Sequence, residues 1–300
     1  MNWLQLRLVV DRTEAEAIEA ALEASGALAV TLDDAGDAPI LEPEPQAQPL
    51  WRQVRVTALY ADDLDGQQRA QLAAALLAEQ SAEPLRIDRL DDRPWERVWL
   101  ADARPMRFGD RLWVCPRGQH PPATETISAA RQPVVVELDP GLAFGTGHHP
   151  TTALCLRWLD QTPLHGQTLI DFGCGSGILA IAAIALGARR AIAVDHDPQA
   201  LDATLANAAV NRVADRIEVH APEALICDPA DLVVANILAG PLQALAPRLT
   251  GLTRPGGRLA ISGLLSEQGE ATAACYRDAF DLAPNWEQDG WLLLHGTRRR

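Results

Sequence analysis

Residues 169–183, LIDFGCGSGILAIAA, constrain the fold of this chain more than any other stretch. An apolar strand enters a turn with glycine at 173, 175 and 177, and an apolar helix leaves it. Alternate glycines remove the side chains that would hold a ligand away from the backbone, and the helix N-terminus behind them offers unpaired N–H donors. The stretch predicts a nucleotide-type pocket.

Three readings of that pocket are open. Gly175-x-Gly177-x-x-Ala180 fits the dinucleotide pattern G-x-G-x-x-A, and a glycine turn can also serve packing alone. Packing alone leaves the carboxylates at both strand ends unexplained. Asp171 opens the turn, and the next strand, AIAVD, ends in Asp195, at about the distance where an acid accepts both ribose hydroxyls of an adenosine. A dinucleotide fingerprint is favoured near the N-terminus, whereas this turn begins at residue 171. In its order, D-x-G-x-G-x-G, the turn resembles motif I of the class I methyltransferases that use S-adenosylmethionine. Gly173 and Asp195 are therefore candidate cofactor residues.

The 300 residues predict two domains, and 48% hydrophobic content is ample for buried cores. No run of about 18 apolar residues is present, and the N-terminus MNWLQLRLVVDRTE lacks a basic region and a small-residue cleavage site, so a cytoplasmic protein is expected. Five scattered cysteines without a C-x-x-C support neither a disulfide framework nor a zinc knuckle. All 26 basic residues are arginine. Coding bias in an alanine-rich, GC-rich background accounts for this, and freedom from self-modification in an amine-modifying enzyme is the other reading. Charge is uneven: residues 1–95 carry 8 arginines against 18 acids, which accounts for −10 of the net −14. Such a surface repels phosphate backbones and makes nucleic acid a poor partner, or it serves solubility alone.

Along the first third, a strand at 3–10, a Thr13-x-x-Glu16 capping box with a helix stopped at Gly26, and a strand at 28–32 form one unit. After a proline-rich loop, strand 51–60, helix 66–80 with Leu72 and Leu76 on one face, and strand 84–90 repeat it. The order β-α-β-β-α-β predicts a ferredoxin-like layer over residues 1–90. Residues 91–105, with Trp95 and Trp99, read as a connector with a short helix, on which the front domain would swing to present a substrate. From residue 106 a second domain follows. It comprises a hairpin at 111–115, strands at 134–138, 191–195, 216–220, 231–236 and 258–262, and helices at 153–159, 241–253 and 266–280. Another helix is opened by Asp197 and Pro198. Alternation of this kind implies a doubly wound parallel sheet. Strands near 282–288 and 291–297 then face each other across Asp289-Gly290, so an antiparallel last strand is expected.

Two segments carry a narrower likeness. LDPGLAFGTGHHPTT (138–152) and VVANILAGPL (233–242) resemble the signatures of the bacterial methyltransferases of large-subunit ribosomal protein eleven, and the likeness extends over the whole chain. His148 stands where that family usually has threonine. The resemblance implies a class I methyltransferase domain over 106–300, S-adenosylmethionine as cofactor, and Thr152 as a cofactor ligand with Phe144 covering the site. It also implies methylation of lysine side chains and the N-terminal α-amine of a basic ribosomal protein, met free or on the ribosome. The expected enzyme is a monomer with no membrane or nucleic-acid partner. Asn236, ending its strand where methyl donor meets acceptor, can accept N–H bonds from an amine and aim its lone pair; it is both a cofactor-binding and a catalytic candidate. Adjacent His148 and His149 lack a third ligand at metal spacing and read as loop hydrogen-bonders. No residue reads as a general base. Methylation of another protein or a small amine, or nucleotide binding without catalysis, are the alternatives.

Overall fold

The computed structural model describes residues 2–36, 50–90, 104–122, 133–138 and 147–300. The proline-rich loop, most of the 91–105 connector, and Phe144 and Gly145 lie outside the described residues. Contacts divide the chain into two compact units, one within residues 1–95 and one within 96–300.

In the first unit the elements run β1 (Trp3–Asp11), α1 (Arg12–Ala24), β2 (Ala29–Asp34), β3 (Gln53–Ala61), α2 (Leu64–Leu77) and β4 (Arg86–Leu90). The strands form an antiparallel sheet in the order β2-β3-β1-β4, the ferredoxin-like arrangement. Alternate residues of β1 and β3, among them Leu6, Leu8, Val56 and Tyr60, pack against Ile18 and Leu22 of α1. Two local expectations are corrected here. Helix α1 is capped by Asp11, whose Oδ1 accepts the Thr13 N–H at 3.0 Å and the Thr13 hydroxyl at 2.7 Å, so Thr13 donates to the cap instead of being it. On α2 the buried residues are Gly66, Ala70 and Ala73, while Leu72 and Leu76 are exposed. Small side chains let this helix lie close against the sheet, and that contact overrides the leucine pattern.

The second unit begins with β5 (Met106–Phe108), β6 (Leu112–Pro116) and β7 (Val134–Leu138), which form a small sheet of their own. Next come α3 (Pro150–Gln161), β8 (Thr168–Phe172), α4 (Ile178–Ala185), β9 (Arg190–Val194), α5 (Pro198–Val210), β10 (Ile217–His220) and β11 (Ala230–Asn236). The chain closes with α6 (Ala239–Ala244), α7 (Ala246–Leu252), β12 (Thr253–Leu265), α8 (Gly269–Ala274), β13 (Phe280–Leu282), β14 (Trp286–Gln288) and β15 (Trp291–Arg298). The main sheet is ordered β10-β9-β8-β11-β12-β15-β13, parallel from β10 to β12 with β15 antiparallel to β12. This is the doubly wound sheet with an antiparallel last strand that the sequence predicts. Successive strand residues enter opposite cores: Leu169, Ala193 and Val234 face α3 and α4, whereas Ile170, Val194 and Val233 face α6 and α7.

Several boundaries differ from expectation for local reasons. The predicted helix 241–253 is two helices, because Pro247 has no N–H for the carbonyl of Gln243 and the chain kinks at Leu245 (φ −86°, ψ 0°). The predicted helix 266–280 shrinks to a short turn and α8, since Phe280 is claimed by pairing with Arg298. The predicted strand 282–288 is divided around Pro284, and β12 extends well beyond 258–262. Helix α3 starts at Pro150, capped by His149 and by neither threonine of the expected start.

Candidate active site

Strand β8 delivers the chain into the glycine turn, where Gly173, Gly175 and Gly177 take φ of +81°, +52° and +78°, a region that L side chains rarely adopt. The Gly173 and Cys174 N–H groups both donate to the Val194 carbonyl, at 2.7 and 3.0 Å, which fastens the turn to the end of β9. From α5, the Thr204 hydroxyl donates to the Gly175 carbonyl at 3.0 Å and the Asn207 amide to the Ser176 carbonyl at 2.9 Å. Sequence reading missed both residues, because their partners are backbone groups about thirty positions earlier and no local pattern marks them.

Asp195, directly after β9, is 8% exposed. Its Oδ2 accepts the Gly175 N–H at 2.9 Å and its Oδ1 the Asp197 N–H at 3.1 Å, so the carboxylate is held in one orientation. Each carboxylate oxygen has more than one lone-pair site, leaving capacity for hydroxyl donors. Asp171 plays a different part. It is fully buried beneath the turn, where Oδ2 accepts the Ala180 N–H at 3.1 Å, and Oδ1 meets no donor among the described residues.

Burial drives the Asp171 carboxyl up to about 7; the Ala180 N–H opposes the rise and the Asp195 charge adds to it. The folded protein therefore holds this proton more tightly than the unfolded chain, and stability falls as pH rises between the ordinary carboxylate range and about 7. Asp171→Asn keeps an acceptor for Ala180 without the charge. It should raise the ligand-free melting temperature at pH 8, the added stability being at most about 4 kcal/mol at roughly 1.4 kcal/mol per pKa unit, and change little near pH 4. Thermal unfolding at the two pH values checks this, and a variant no more stable than wild type at pH 8 refutes it.

At the end of β11, the Asn236 amide donates from Nδ2 to the Thr152 hydroxyl at 3.1 Å. Thr152 is 1% exposed in the first turn of α3, behind Asn236. Beside it, His149 caps the helix: its Nδ1 accepts the Thr151 N–H at 3.4 Å and lies 2.7 Å from the Thr151 hydroxyl. Burial holds the His149 imidazole below the usual histidine range. His149 also meets Trp291 edge to face, with ring centroids 4.7 Å apart.

These groups surround a cavity of about 650 Å³ at the carboxyl ends of the parallel strands. Among the described lining residues are Gly173, Asp195 and Asn236; Thr152 is not one of them, and its hydroxyl accepts from the Asn236 amide. Sequence reading missed Glu223, Arg248 and Trp291, which also line it. Glu223 follows β10 closely enough for the strand-end rule that found Asp195 to find it. Arg248 and Trp291 carry no comparable signal. Among the described residues, no group of three His, Cys, Asp or Glu is placed to hold a metal ion.

The family model described as ribosomal protein L11 methyltransferase (PrmA) matches residues 2–299. The chain is 50% identical over 301 residues to the ribosomal protein L11 methyltransferase of Azotobacter vinelandii, with 100% of both chains covered. Identity is 49% over 304 residues, with the same coverage, to the protein of that name in Pseudomonas putida. The crystal structure of a ribosomal protein L11 methylase from Lactobacillus delbrueckii superposes with a TM-score of 0.58 at 29% identity, covering 66% of this chain and all of that one. Fold, glycine turn and whole-chain similarity agree, and the chain belongs to the ribosomal protein L11 methyltransferase family.

Proposed function

We propose that the cavity binds S-adenosylmethionine and that the protein methylates amines of ribosomal protein L11, namely lysine side chains and the N-terminal α-amine. The observation that carries this reading is the order of groups along the sheet edge: Gly173 and Asp195 on one side of Asn236, and Gly263 and Trp291 lining the same cavity on the other. The cavity lies within the range of roughly 300–1,000 Å³ usual for small-molecule sites. The residues present fit the cofactor. Gly173 permits close approach of the backbone, and Asp195 faces the cavity with a fixed carboxylate suited to two ribose hydroxyls. When bound, S-adenosylmethionine supplies a methyl group on a positively charged sulfur.

Asn236 would accept N–H bonds from the acceptor amine, with Thr152 holding the amide in place. The nucleophile must be a neutral amine, whereas lysine ordinarily titrates near 10.4 and an α-amine near 7.7 to 8.0. With no assigned base, the proton leaves to water before docking. The enzyme's contribution is then alignment, a term that can reach about 7–11 kcal/mol. The acidic front third supports a basic protein over nucleic acid as the partner. We take the enzyme to act as a cytoplasmic monomer on L11, free or ribosome-bound.

Incubation with labelled S-adenosylmethionine and a ribosomal-protein extract should label L11, and label on another protein or on small amines alone would overturn the substrate assignment. For the cofactor, Asp195→Ala removes charge-assisted hydrogen bonds of about 1.5–3 kcal/mol each. Calorimetric affinity for S-adenosylmethionine should fall at least about tenfold, corresponding to ~1.4 kcal/mol, with the fold retained. Unchanged affinity, or a preference for NAD, would sink this reading.

A further inference from the structure

We propose that Trp291, with the His149 ring set against it, is a cation-receiving wall for the acceptor amine. The proposal rests on the amine-methylating reading of the cavity given above. Strands β10, β9, β8, β11, β12 and β15 lie side by side, and the cavity runs across this edge. Glu223 follows β10, Asp195 follows β9 and Gly173 follows β8, while Asn236 ends β11, Gly263 lies in β12 and Trp291 begins β15. With strands about 4.8 Å apart, Trp291 stands two strands, roughly 10 Å, from Asn236 on the side away from Asp195. That is the acceptor's side.

The character of the two ends differs. Phe172, on the Asp195 side, already carries the Arg248 guanidinium 5.7 Å from its ring centroid, and Arg248 is tied to the Pro222 carbonyl. Trp291 instead meets the His149 imidazole, whose burial favours the neutral form. On that side the charged groups, Asp195, Glu223 and Arg248, are of both signs, whereas a cation near Trp291 meets an indole and an imidazole whose burial disfavours charge.

An aromatic ring at that end suits what happens to the acceptor. The nitrogen forms its new N–C bond with its own lone pair, the C–S bonding pair stays on sulfur, and the positive charge passes from sulfur to nitrogen. The products are a neutral thioether and a methylammonium cation. Indole attracts such a cation through its ring quadrupole, and the attraction grows as charge develops on nitrogen. The same wall holds the methylammonium product until it leaves the site.

A binding comparison tests this on the intact protein. Two lysine-containing peptides of L11, identical except that one carries trimethyllysine and the other its neutral tert-butyl isostere, are titrated calorimetrically with S-adenosylhomocysteine present. Wild type should bind the cation about five- to tenfold more tightly. Trp291→Leu should abolish the preference, and Trp291→Phe should keep part of it. Equal binding of both peptides by wild type overturns the proposal without recourse to any variant, as does a preference that survives in the leucine variant. Failure of both peptides to bind wild type also overturns it, and only if methyl transfer to L11 is absent as well does the underlying reading of the site fail with it.

Discussion

Deleting residues 1–90 should abolish methylation of ribosomal protein L11 while leaving S-adenosylmethionine affinity within about threefold of that of the full chain, a change below ~0.7 kcal/mol. The cavity's described lining runs from His149 to Trp291, so none of it comes from the front unit. That unit has its own core around Leu6, Leu8, Val56 and Tyr60, and the second unit has two separate cores, so each part can hold its fold. No nucleotide motif occurs in the front third, yet it carries −10 of the chain's −14 charge. These features suit recognition of a basic protein. If so, association with L11 should slow as salt rises, because exposed charges are screened beyond about 8 Å at physiological ionic strength. The measurements are calorimetry for the cofactor and stopped-flow association for the substrate. A truncated enzyme that methylates L11 at the full rate refutes the recognition role, whereas salt-independent association removes only its electrostatic part.

Asn236→Ala should lower kcat on the order of 100-fold, the loss that follows when a reacting group is misplaced by about an ångström, with a much smaller effect on cofactor affinity. Asn236 sits between the Asp195 side of the cavity and the Trp291 side, and its amide is held from behind by the buried Thr152 hydroxyl. A side chain so braced is suited to aiming a lone pair. Truncation removes both the acceptor and the brace's target while leaving the β11–β12 pairing, which is made by backbone, in place. Turnover at saturating S-adenosylmethionine separates the two possible roles. Full recovery of the wild-type rate there would show Asn236 to be a cofactor contact alone.

Most element types were legible along the chain because they depend on local periodicity and punctuation. Asp197 and Pro198 do open α5, and Asp289 with Gly290 does turn the last hairpin, at φ of +52° and +78°. Expectations failed where a distant contact outweighed a local pattern. Leu72 and Leu76 look like a buried stripe, yet Ala70 and Ala73 face the sheet, since a close helix–sheet approach needs small residues. The extended stretch after α8 begins at Phe280 because β15 is there to pair with it.

The sequence by itself determined the pocket's type and its edge of the sheet. A glycine turn with an acid at the next strand end works through backbone geometry and short-range hydrogen bonds, which neighbouring residues specify. Only the tertiary structure decided what each site residue faces. Asp171 and Asp195 are both acids at the glycine turn, but one is sealed beneath it and accepts from Ala180 while the other opens onto the cavity. Thr152 and Asn236, 84 positions apart, meet because α3 packs across β11. Trp291 and His149 come together at the cavity's far end because β15 runs antiparallel and brings its first residue to the edge where the parallel strands end. Such placements depend on strand order and direction, which set distances between residues that no local pattern connects.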